Sequence, residues 1–263
     1  MIYIRLLEKN GKVSKSLIII PTYNEIDNIE RLINAVFPIN DSFHILVVDD
    51  NSPDGTAKKV ESLSGQYPGR LHLLKRPGKH GLGTAYIKGF RWAIEHGYDY
   101  VFEMDADFSH DPADLPNLLR ACEKGGADLA IGSRYVSGVN VVNWPLGRIL
   151  MSYFASSYVR MITGMDVRDT TAGFKCYRTE VLRSLNLDKI SFKGYAFQIE
   201  MKFAVWKLGF RIVEVPIIFT ERKHGTSKMS GGIFNEALWG VIIIKFKSFF
   251  RNKYAVPEEE KMN

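Results

Sequence analysis

SLIIIPTYNEIDNIERLINAVFPINDSFHILVVDDNSPDGT, residues 16–56, contains two short apolar runs with an amphipathic segment between them. The runs at residues 17–20 and 45–48 are rich in Ile and Val, which is typical of buried parallel strands. Between them, apolar residues recur at the spacing of one helix face: Ile26, Ile29, Leu32, Ile33 and Val36. Pro38 ends this pattern. A strand, a helix and a second strand in this order predict a βαβ unit.

The same alternation continues through the first half of the chain. Further helices are predicted over residues 56–67, 81–97 and 111–126. Further strands are predicted over residues 70–76, 99–107 and 127–135. This series predicts an α/β fold with a mostly parallel, doubly wound sheet. Such sheets bind ligands beyond the carboxyl ends of their strands, which is where PTYN, VDDNS, MDAD and GSRY fall.

The second half of the chain is less regular. Helices are predicted over residues 141–163, after Pro145, and over residues 193–208. Residues 210–225 predict a pair of strands, with Pro216 marking a sheet edge or a bulge. No linker composition separates the halves, so we expect one domain. Its predicted bounds are residues 16–232, between an N-terminal extension (1–15) and a C-terminal basic and apolar helix and tail (233–263).

The composition is that of a folded protein with an anionic partner. The 263 residues are 46% hydrophobic and 24% charged, and the net charge is +6. This positive excess is compatible with a phosphate ligand, a membrane surface or nucleic acid. The chain has no basic helical run and no aromatic-basic RNA motif, so nucleic acid is disfavoured. Cys122 and Cys176 have no metal-type spacing and predict reduced, structural thiols in a cytosolic protein.

A membrane surface is the second candidate partner. No stretch reaches the roughly 18 apolar residues that a spanning helix needs, and the N-terminus lacks a signal-peptide core. Residues 239–253 combine Trp, Phe and Ile with several lysines and an arginine, which is typical of an interfacial helix on anionic lipid. The charges do not segregate onto one face, so packing on the domain or on a partner membrane protein is an equal alternative.

Two carboxylates stand almost side by side at the end of the fourth predicted strand. In FEMDADFSHDP, residues 102–112, one alanine separates Asp105 from Asp107. Repulsion and desolvation oppose this arrangement, so either both are solvated turn residues or a cation belongs between them. Mg²⁺ and Mn²⁺ prefer such oxygen ligands. Asp111, directly before Pro112, predicts a helix N-cap.

Polar residues at the other strand ends are candidates for binding a nucleotide or a phosphate. Asp50 could accept hydrogen bonds from a ribose or a base, although Asp-Asn-Ser is also ordinary turn chemistry. The aromatic ring and carboxylate of PTYNE could flank a nucleobase, but Asn24 or Thr22 could instead cap the following helix. Arg134 and Arg148 could bind an oxyanion, although lone arginines are usually surface charge.

Two loops carry further signals. Gly81-Leu-Gly83 suggests a dinucleotide-binding turn, but the third glycine is replaced by Tyr86, so a tight strand-to-helix turn is favoured. ERKHGTSK, residues 221–228, places three Lys or Arg side chains and a histidine in a short loop. Such a loop could clamp a diphosphate, or it could simply be solvated.

The complete set of motifs resembles a known family. In chain order the motifs are PTYNE, VDDNSPDGT, KHGLGTAY, MDADFSHDP, GSRY, WPLGRILMS, RDTTAGFKCYR, GYAFQIEM and RxxGTSK. They resemble inverting family 2 glycosyltransferases of the GT-A fold, and within these the dolichol- or polyprenol-phosphate mannose synthases. The likeness covers about residues 16–232, which would be the catalytic domain.

This resemblance implies an activity and its partners. Mannose would pass from GDP-mannose, with inversion, to the phosphate of a membrane polyprenyl (dolichyl) monophosphate, giving a lipid-linked sugar donor for glycosylation. The alternative is a same-fold enzyme that uses another sugar nucleotide, such as UDP-glucose. The protein would be cytoplasmic and peripheral on the cytoplasmic face of a membrane, held by the membrane surface or by a small membrane-anchoring partner.

The resemblance also assigns residues to the donor. The guanosine part of GDP-mannose is expected to contact Pro21, Tyr23, Glu25, Val48 and Asp50. Asp105 and Asp107 are expected to hold a divalent cation, Mg²⁺ or Mn²⁺, against the diphosphate, with the Ala106 backbone nearby.

Further residues are assigned to catalysis and to the acceptor. Arg222 and Lys228 are expected to close over the donor phosphates and, with Asp105 and Asp107, to be the catalytic residues. The phosphate of the lipid acceptor is expected to contact Arg134, Arg148 and Ser152. Some family members place a metal-contacting Gln where this chain has Ser109, so coordination from that position is in doubt.

Overall fold

The fold is taken from a computed structural model. It describes residues 14–194, 196–221, 239–246, 248 and 253–257. The predicted N-terminal extension and the predicted catalytic residues Arg222 and Lys228 therefore lie outside the described residues, apart from Ser14 and Lys15.

A seven-stranded sheet forms the centre of the described part of the chain, in the order β3-β2-β1-β4-β7-β5-β8. The strands are β1 (Ser16–Thr22), β2 (Phe43–Asp49), β3 (Leu71–Lys75), β4 (Tyr100–Glu103), β5 (Leu129–Ser133), β6 (Val141–Val142), β7 (Lys175–Arg178), β8 (Ile212–Pro216) and β9 (Phe219–Thr220). Neighbours run parallel except at β7, which is antiparallel to β4 and β5. β6 and β9 form a separate parallel pair. The prediction of a mostly parallel, doubly wound sheet is confirmed.

Helices cover both faces of this sheet. They are α1 (Ile26–Val36), α2 (Thr56–Ser64), α3 (Leu82–Glu95), α4 (Leu115–Glu123), α5 (Leu146–Thr163), α6 (Thr179–Ser184) and α7 (Ala196–Lys207). Residues 239–246 are also helical. Short 3-10 turns occupy Pro112–Asp114 and Leu187–Lys189. None of the described helices is long and apolar enough to cross a bilayer.

The alternation of side chains along β1 divides the core into two layers. Ile18 and Ile20 pack into one cluster with the apolar face of α1, whereas Leu17 and Ile19 pack into the other with α3. Four of the five predicted α1 positions, at 29, 32, 33 and 36, are fully buried. Each such side chain stabilises the fold by about 1.5–3 kcal/mol. The apolar spacing in the sequence therefore fixes which face of the helix meets the sheet.

A close approach of two segments explains the glycines before and within α3. Gly81 has φ of +97°, which a side chain would strain. A Cβ on Gly83 would lie 2.6 Å from Cδ2 of Phe197, at the start of α7. These glycines therefore serve the entry into α3 and its packing against α7, and residues 76–81 connect β3 to α3.

The sequence did not predict strand β7 or helix α6, and it did not predict the short strand β6 ahead of α5. The β7 sequence, KCYR, is short and carries two cations, yet Lys175 is fully buried. A buried lysine becomes acceptable only beside a carboxylate from another strand, and sequence spacing cannot reveal such a partner. Cys176 of β7 and Cys122 of α4 are buried and free, as expected for structural thiols. Pro216 ends β8, which is a sheet edge as predicted.

Candidate active site

The carboxyl ends of β1 and β2 form one wall of the site. The Thr22 hydroxyl donates to Asp49 Oδ2 at 2.9 Å, and the Ser52 hydroxyl donates to the same oxygen at 2.6 Å. The Asp50 backbone N–H donates to the Thr22 carbonyl at 3.0 Å. The Asp49 carboxylate is already hydrogen-bonded within the protein. Of the two aspartates, Asp50 is therefore the one that could bind a ligand.

Asp50 is held by an arginine that the sequence analysis did not single out. Arg76 Nε lies 3.1 Å from Asp50 Oδ1, and Arg76 Nη2 donates to the Thr84 hydroxyl at 2.7 Å. The buried Arg76 Nη1 and Asp50 Oδ1 have no hydrogen-bond partner among the described residues, so the Nε–Oδ1 contact is an ion pair without hydrogen-bond alignment. Burial raises the pKa of Asp50, although the Arg76 charge opposes this. The pair has unused hydrogen-bonding capacity for a ligand.

The remaining predicted donor residues lie beside this wall. Pro21 pairs with Val48 across β1 and β2, and Val48 is fully buried, so only its backbone could meet a nucleotide. Tyr23 is partly buried beneath the Lys79 ammonium, 5.1 Å from the ring centroid. Glu25 occupies the N-cap position of α1 and accepts from Asn28 Nδ2 at 3.0 Å. The alternative that Asn24 or Thr22 caps α1 is therefore wrong.

The two aspartates follow β4 on a tightly held loop. Asp107 Oδ1 accepts from the Ser109 backbone N–H at 3.1 Å, and Phe108 between them has φ of +58°. The Asp105 backbone N–H donates to His110 Nδ1 at 3.3 Å. Burial lowers the pKa of His110, which keeps the ring neutral and Nδ1 able to accept. The loop is therefore organised around both aspartates before any ligand arrives. Asp111 caps the following 3-10 turn, as predicted, accepting from the Ala113 N–H at 2.9 Å.

The donor set on this loop suits a hard divalent cation. Asp105 and Asp107 offer carboxylate oxygens, and the Ser109 hydroxyl is buried without a partner among the described residues. In the same part of the chain no group of three or more His, Cys, Asp or Glu could hold a metal by itself. Mg²⁺ and Mn²⁺ sites built from one or two carboxylates are completed by substrate phosphates. These residues fit a cation that arrives with a phosphate ligand.

One predicted donor residue, Asp105, and the three predicted acceptor residues line one cavity, which we name the central pocket. Its volume is about 250 Å³. Asp105 and Gln198 form part of its lining, together with Arg134, Arg148 and Ser152. A second cavity, of about 860 Å³, is lined by Asp107 of the same loop. The central pocket is the candidate site because the loops that follow β4 and β5 and the helices α5 and α7 all contribute to its lining.

Arg134 is anchored firmly at the wall of the central pocket. Its Nε and Nη2 donate to the two carboxylate oxygens of Asp169 at 2.7 and 2.6 Å, and Nη2 also donates to the Thr171 hydroxyl at 2.7 Å. Burial would raise the pKa of Asp169, but the Arg134 charge and the hydrogen bonds from Arg134 together lower it. Both partners are buried. Arg134 was predicted to bind the acceptor phosphate, whereas much of its guanidinium is hydrogen-bonded within the protein.

Arg148 and its neighbours supply the exposed side of the central pocket. Arg148 Nη1 lies 2.5 Å from Glu221 Oε1, and the guanidinium stacks 4.1 Å from the Trp144 ring centroid. The Ser152 hydroxyl and Trp144 Nε1 are buried atoms without a hydrogen-bond partner in the described part of the chain. Two unused donors beside two arginines are suited to an oxyanion.

Comparison with known proteins decides the family. The profile of the family described as "Glycosyl transferase family 2" matches residues 17–185. This chain belongs to glycosyl transferase family 2. The family assignment agrees with the resemblance drawn from the motifs.

Two curated relatives match this family 2 chain over most of its length. A "Polyprenol monophosphomannose synthase" of Mycolicibacterium smegmatis is 47% identical, covering 86% of this chain and 87% of that protein. An "Undecaprenyl-phosphate mannosyltransferase" of Micrococcus luteus is 49% identical, covering 86% of this chain and 93% of that protein.

A solved structure shares the fold of this family 2 chain. It is glucosyl-3-phosphoglycerate synthase from Mycobacterium tuberculosis, in complex with Mn²⁺, UDP and glucosyl-3-phosphoglycerate. Its TM-score is 0.64 at 20% identity, covering 89% of this chain and 79% of that chain. At this identity the likeness supports the GT-A fold and nothing finer.

A buried ionic network lies beneath the central pocket of this family 2 protein. Glu103 Oε1 lies 2.9 Å from Lys175 Nζ and accepts from the Tyr177 hydroxyl at 2.8 Å. Gln198 donates from Nε2 to Glu103 Oε2 at 2.9 Å and accepts from Lys175 at Oε1. Lys202 Nζ donates to the Ala172 carbonyl at 2.6 Å. Burial lowers the pKa of both lysines, most strongly that of Lys202.

Sequence reasoning missed several of the residues that form this family 2 site. The sequence analysis gave no role to Arg76, His110, Trp144, Asp169, Lys175 and Gln198. Most of them lie inside the family motifs quoted above, and membership in those motifs was the only sign in the sequence that they belong to the site. Their partners come from distant segments, so only the structure reveals what each one contacts.

Proposed function

We propose that this chain transfers mannose from GDP-mannose to the phosphate of a polyprenyl monophosphate, with inversion at the anomeric carbon. The convergence of Asp105, Arg134, Arg148 and Ser152 on the central pocket carries this proposal, because it brings one carboxylate of the predicted cation site and two cations for an acceptor to one place. The names of the two curated relatives support the same acceptor class and the same sugar.

The acceptor phosphate is assigned to the side of the pocket formed by α5. Arg148 supplies charge, while the Ser152 hydroxyl and Trp144 Nε1 supply donors that lack a partner among the described residues. A phosphate would satisfy these buried donors, whose desolvation otherwise costs about 1–3 kcal/mol each. Arg148 must exchange Glu221 for the phosphate, since its Nη1 contacts that carboxylate.

The donor is assigned to the Asp105 side of the pocket and to the strand ends beyond it. The wall at β1 and β2, with Asp50, would take the nucleoside, and Asp105 and Asp107 would hold a divalent cation against the diphosphate. The cation supplies charge neutralisation on the departing nucleotide. The M. tuberculosis neighbour carries Mn²⁺ and UDP, which is compatible with this arrangement. Arg222 and Lys228 remain predicted contacts to the donor phosphates.

The reaction needs positioning more than proton transfer. A phosphate oxygen of the acceptor attacks the anomeric carbon from the face opposite GDP, and the bond from that carbon to the diphosphate oxygen breaks. A phosphate monoester has a second pKa of about 6, so the nucleophile is already an anion near neutral pH. A general base is therefore dispensable, and the buried His110 is engaged with the Asp105 backbone.

Transfer of radiolabel into lipid tests this proposal. With purified protein, Mg²⁺ or Mn²⁺ and polyprenyl phosphate, we expect label from GDP-mannose to become extractable into organic solvent. Label from UDP-glucose should remain in the aqueous phase. The same assay without acceptor gives the background. Efficient transfer from UDP-glucose, with none from GDP-mannose, would instead establish the alternative donor.

An exposed apolar stripe on α5 supports a peripheral membrane position. Leu146, Phe154 and Met161 are 70%, 64% and 74% exposed, and Leu150 lies on the same stripe at four-residue spacing. The stripe begins next to Arg148, so a lipid surface here would present its phosphate to the central pocket. The helical residues 239–246 carry a second set of exposed apolar side chains, including Trp239 and Phe246.

Liposome flotation tests the contact with membrane. We expect the double variant Leu146→Ser, Phe154→Ser to float with anionic vesicles roughly 100-fold less well, because two large apolar side chains no longer enter the lipid. Transfer to a short, water-soluble prenyl phosphate should stay near the wild-type level, which separates anchoring from catalysis. Unchanged flotation of the variant would refute the contact by α5, and deletion of residues 233–263 would then test the C-terminal segment.

A further inference from the structure

Gln198 occupies the floor of the central pocket although it is a buried amide. Only 3% of the residue is exposed, and it lies on α7 between two charged groups that are fully buried. Lys175 donates to its Oε1, and its Nε2 donates to Glu103 at 2.9 Å. The amide belongs to the lining of the central pocket together with Asp105 and Arg134.

The chemistry of its two partners determines which way the amide faces. An ammonium group can only donate, and a carboxylate that receives three donors can only accept. Glu103 receives the Tyr177 hydroxyl and Lys175 in addition to the amide. Gln198 must therefore turn Oε1 toward Lys175 and Nε2 toward Glu103. The network imposes one orientation on a side chain that is often ambiguous.

This orientation leaves the second N–H of Nε2 for the pocket. The described residues offer it no acceptor. Gly173 has no side chain, so the space next to the Gln198 amide stays open. A Cβ on Gly173 would lie 3.7 Å from Gln198 Nε2, 3.7 Å from His110 Cε1 and 3.8 Å from Asp105 Oδ2. A ligand atom in this space can meet the amide and the first aspartate together.

We propose that Gln198 binds the transferred sugar by donating a hydrogen bond from Nε2 to one of its hydroxyl oxygens. This inference rests on the proposed function. The diphosphate is assigned to Asp105 and the acceptor phosphate to the side of Arg148, so the sugar must lie between them, where the amide faces. A neutral N–H suits a neutral hydroxyl. Lys175 polarises the amide from behind and strengthens its donor.

The test compares binding of the sugar nucleotide with binding of the nucleotide alone. In calorimetric titrations with Mg²⁺, Gln198→Met should weaken GDP-mannose roughly fivefold to tenfold relative to GDP, which is the loss of one hydrogen bond. The affinity for GDP should stay near the wild-type value, because GDP lacks the sugar. Gln66→Met makes the same chemical change at an exposed site and should leave both affinities unchanged.

A second variant, Gly173→Ala, tests the proposal if Gln198→Met fails to bind GDP at all. Gly173→Ala places a methyl group in the open space at ordinary contact distances, so the fold should tolerate it while the sugar loses room beside the amide. We expect the same selective loss of GDP-mannose. Equal losses for GDP and GDP-mannose, or an unchanged ratio, would overturn the sugar contact. Wild-type transfer into lipid is measured separately, so failure of the proposed function is recognised by itself.

Discussion

Replacing Asp107 with asparagine is expected to lower mannosyl transfer by roughly 10²–10³-fold, the usual cost of losing one preorganised electrostatic group. The carboxylate is buried, and asparagine keeps its shape and the oxygen that accepts the Ser109 N–H. The loss should therefore report the missing charge rather than a collapsed loop. Asp107→Ala, which also removes that oxygen, should abolish transfer.

The measurement is kcat/KM for GDP-mannose over a series of Mn²⁺ concentrations. Asp111→Asn is the matched control, because it makes the same change four residues away in a side chain that caps the 3-10 turn. It should retain near-normal transfer. Metal-dependent activity close to the wild-type level in the Asp107 variants would remove this residue from the cation site.

Replacing Asp169 with alanine is expected to destabilise the protein by about 3–5 kcal/mol, because it leaves a buried guanidinium without its counterion. Arg134 donates to Asp169 from Nε, Nη2 and the backbone N–H, and both side chains are almost inaccessible to water. Urea unfolding at neutral pH measures the difference. Asp166→Ala, at an exposed position in the same segment, should change stability little. Equal stabilities of the two variants would contradict this account.

The pH dependence of the same pair has a definite sign. The pKa of Asp169 is lower in the folded protein than its ordinary value of 3.8, since the charge and hydrogen bonds of Arg134 together outweigh burial. A lowered pKa means that the pair contributes fully above pH 3.8 and loses its contribution as the pH falls below that value. The stability difference between wild type and Asp169→Ala should therefore be constant near neutrality and shrink in stronger acid.

The sequence predicted the parts of the fold that local patterns determine. Apolar spacing identified α1 and the parallel strands, and Pro145 marked the position just before α5. It did not predict β7, because the burial of Lys175 depends on Glu103 from a strand more than seventy positions earlier. Charged residues in a short segment normally indicate that the segment is exposed to solvent. Here the ion pair with Glu103 allows Lys175 to be buried.

For the site, too, the sequence identified individual residues but not the contacts that they make with distant segments. The resemblance named Asp105, Arg148 and Ser152, and the structure brings them into one pocket. Resemblance assigned Arg134 to the acceptor, but its ties to Asp169 become visible only in three dimensions. Gln198 lies in a quoted motif, yet the direction of its amide depends on two partners outside that motif.

The antiparallel strand β7 also determines the distance between β4 and β5. It lies between β4, which leads into Asp105, and β5, which leads into Arg134. Adjacent strands are about 4.8 Å apart, so β4 and β5 are separated by roughly 10 Å. Direct pairing of these two strands would halve that width. On the proposed function, this inserted strand keeps the loop that carries Asp105 away from the loop that carries Arg134 and leaves room between them for the transferred sugar.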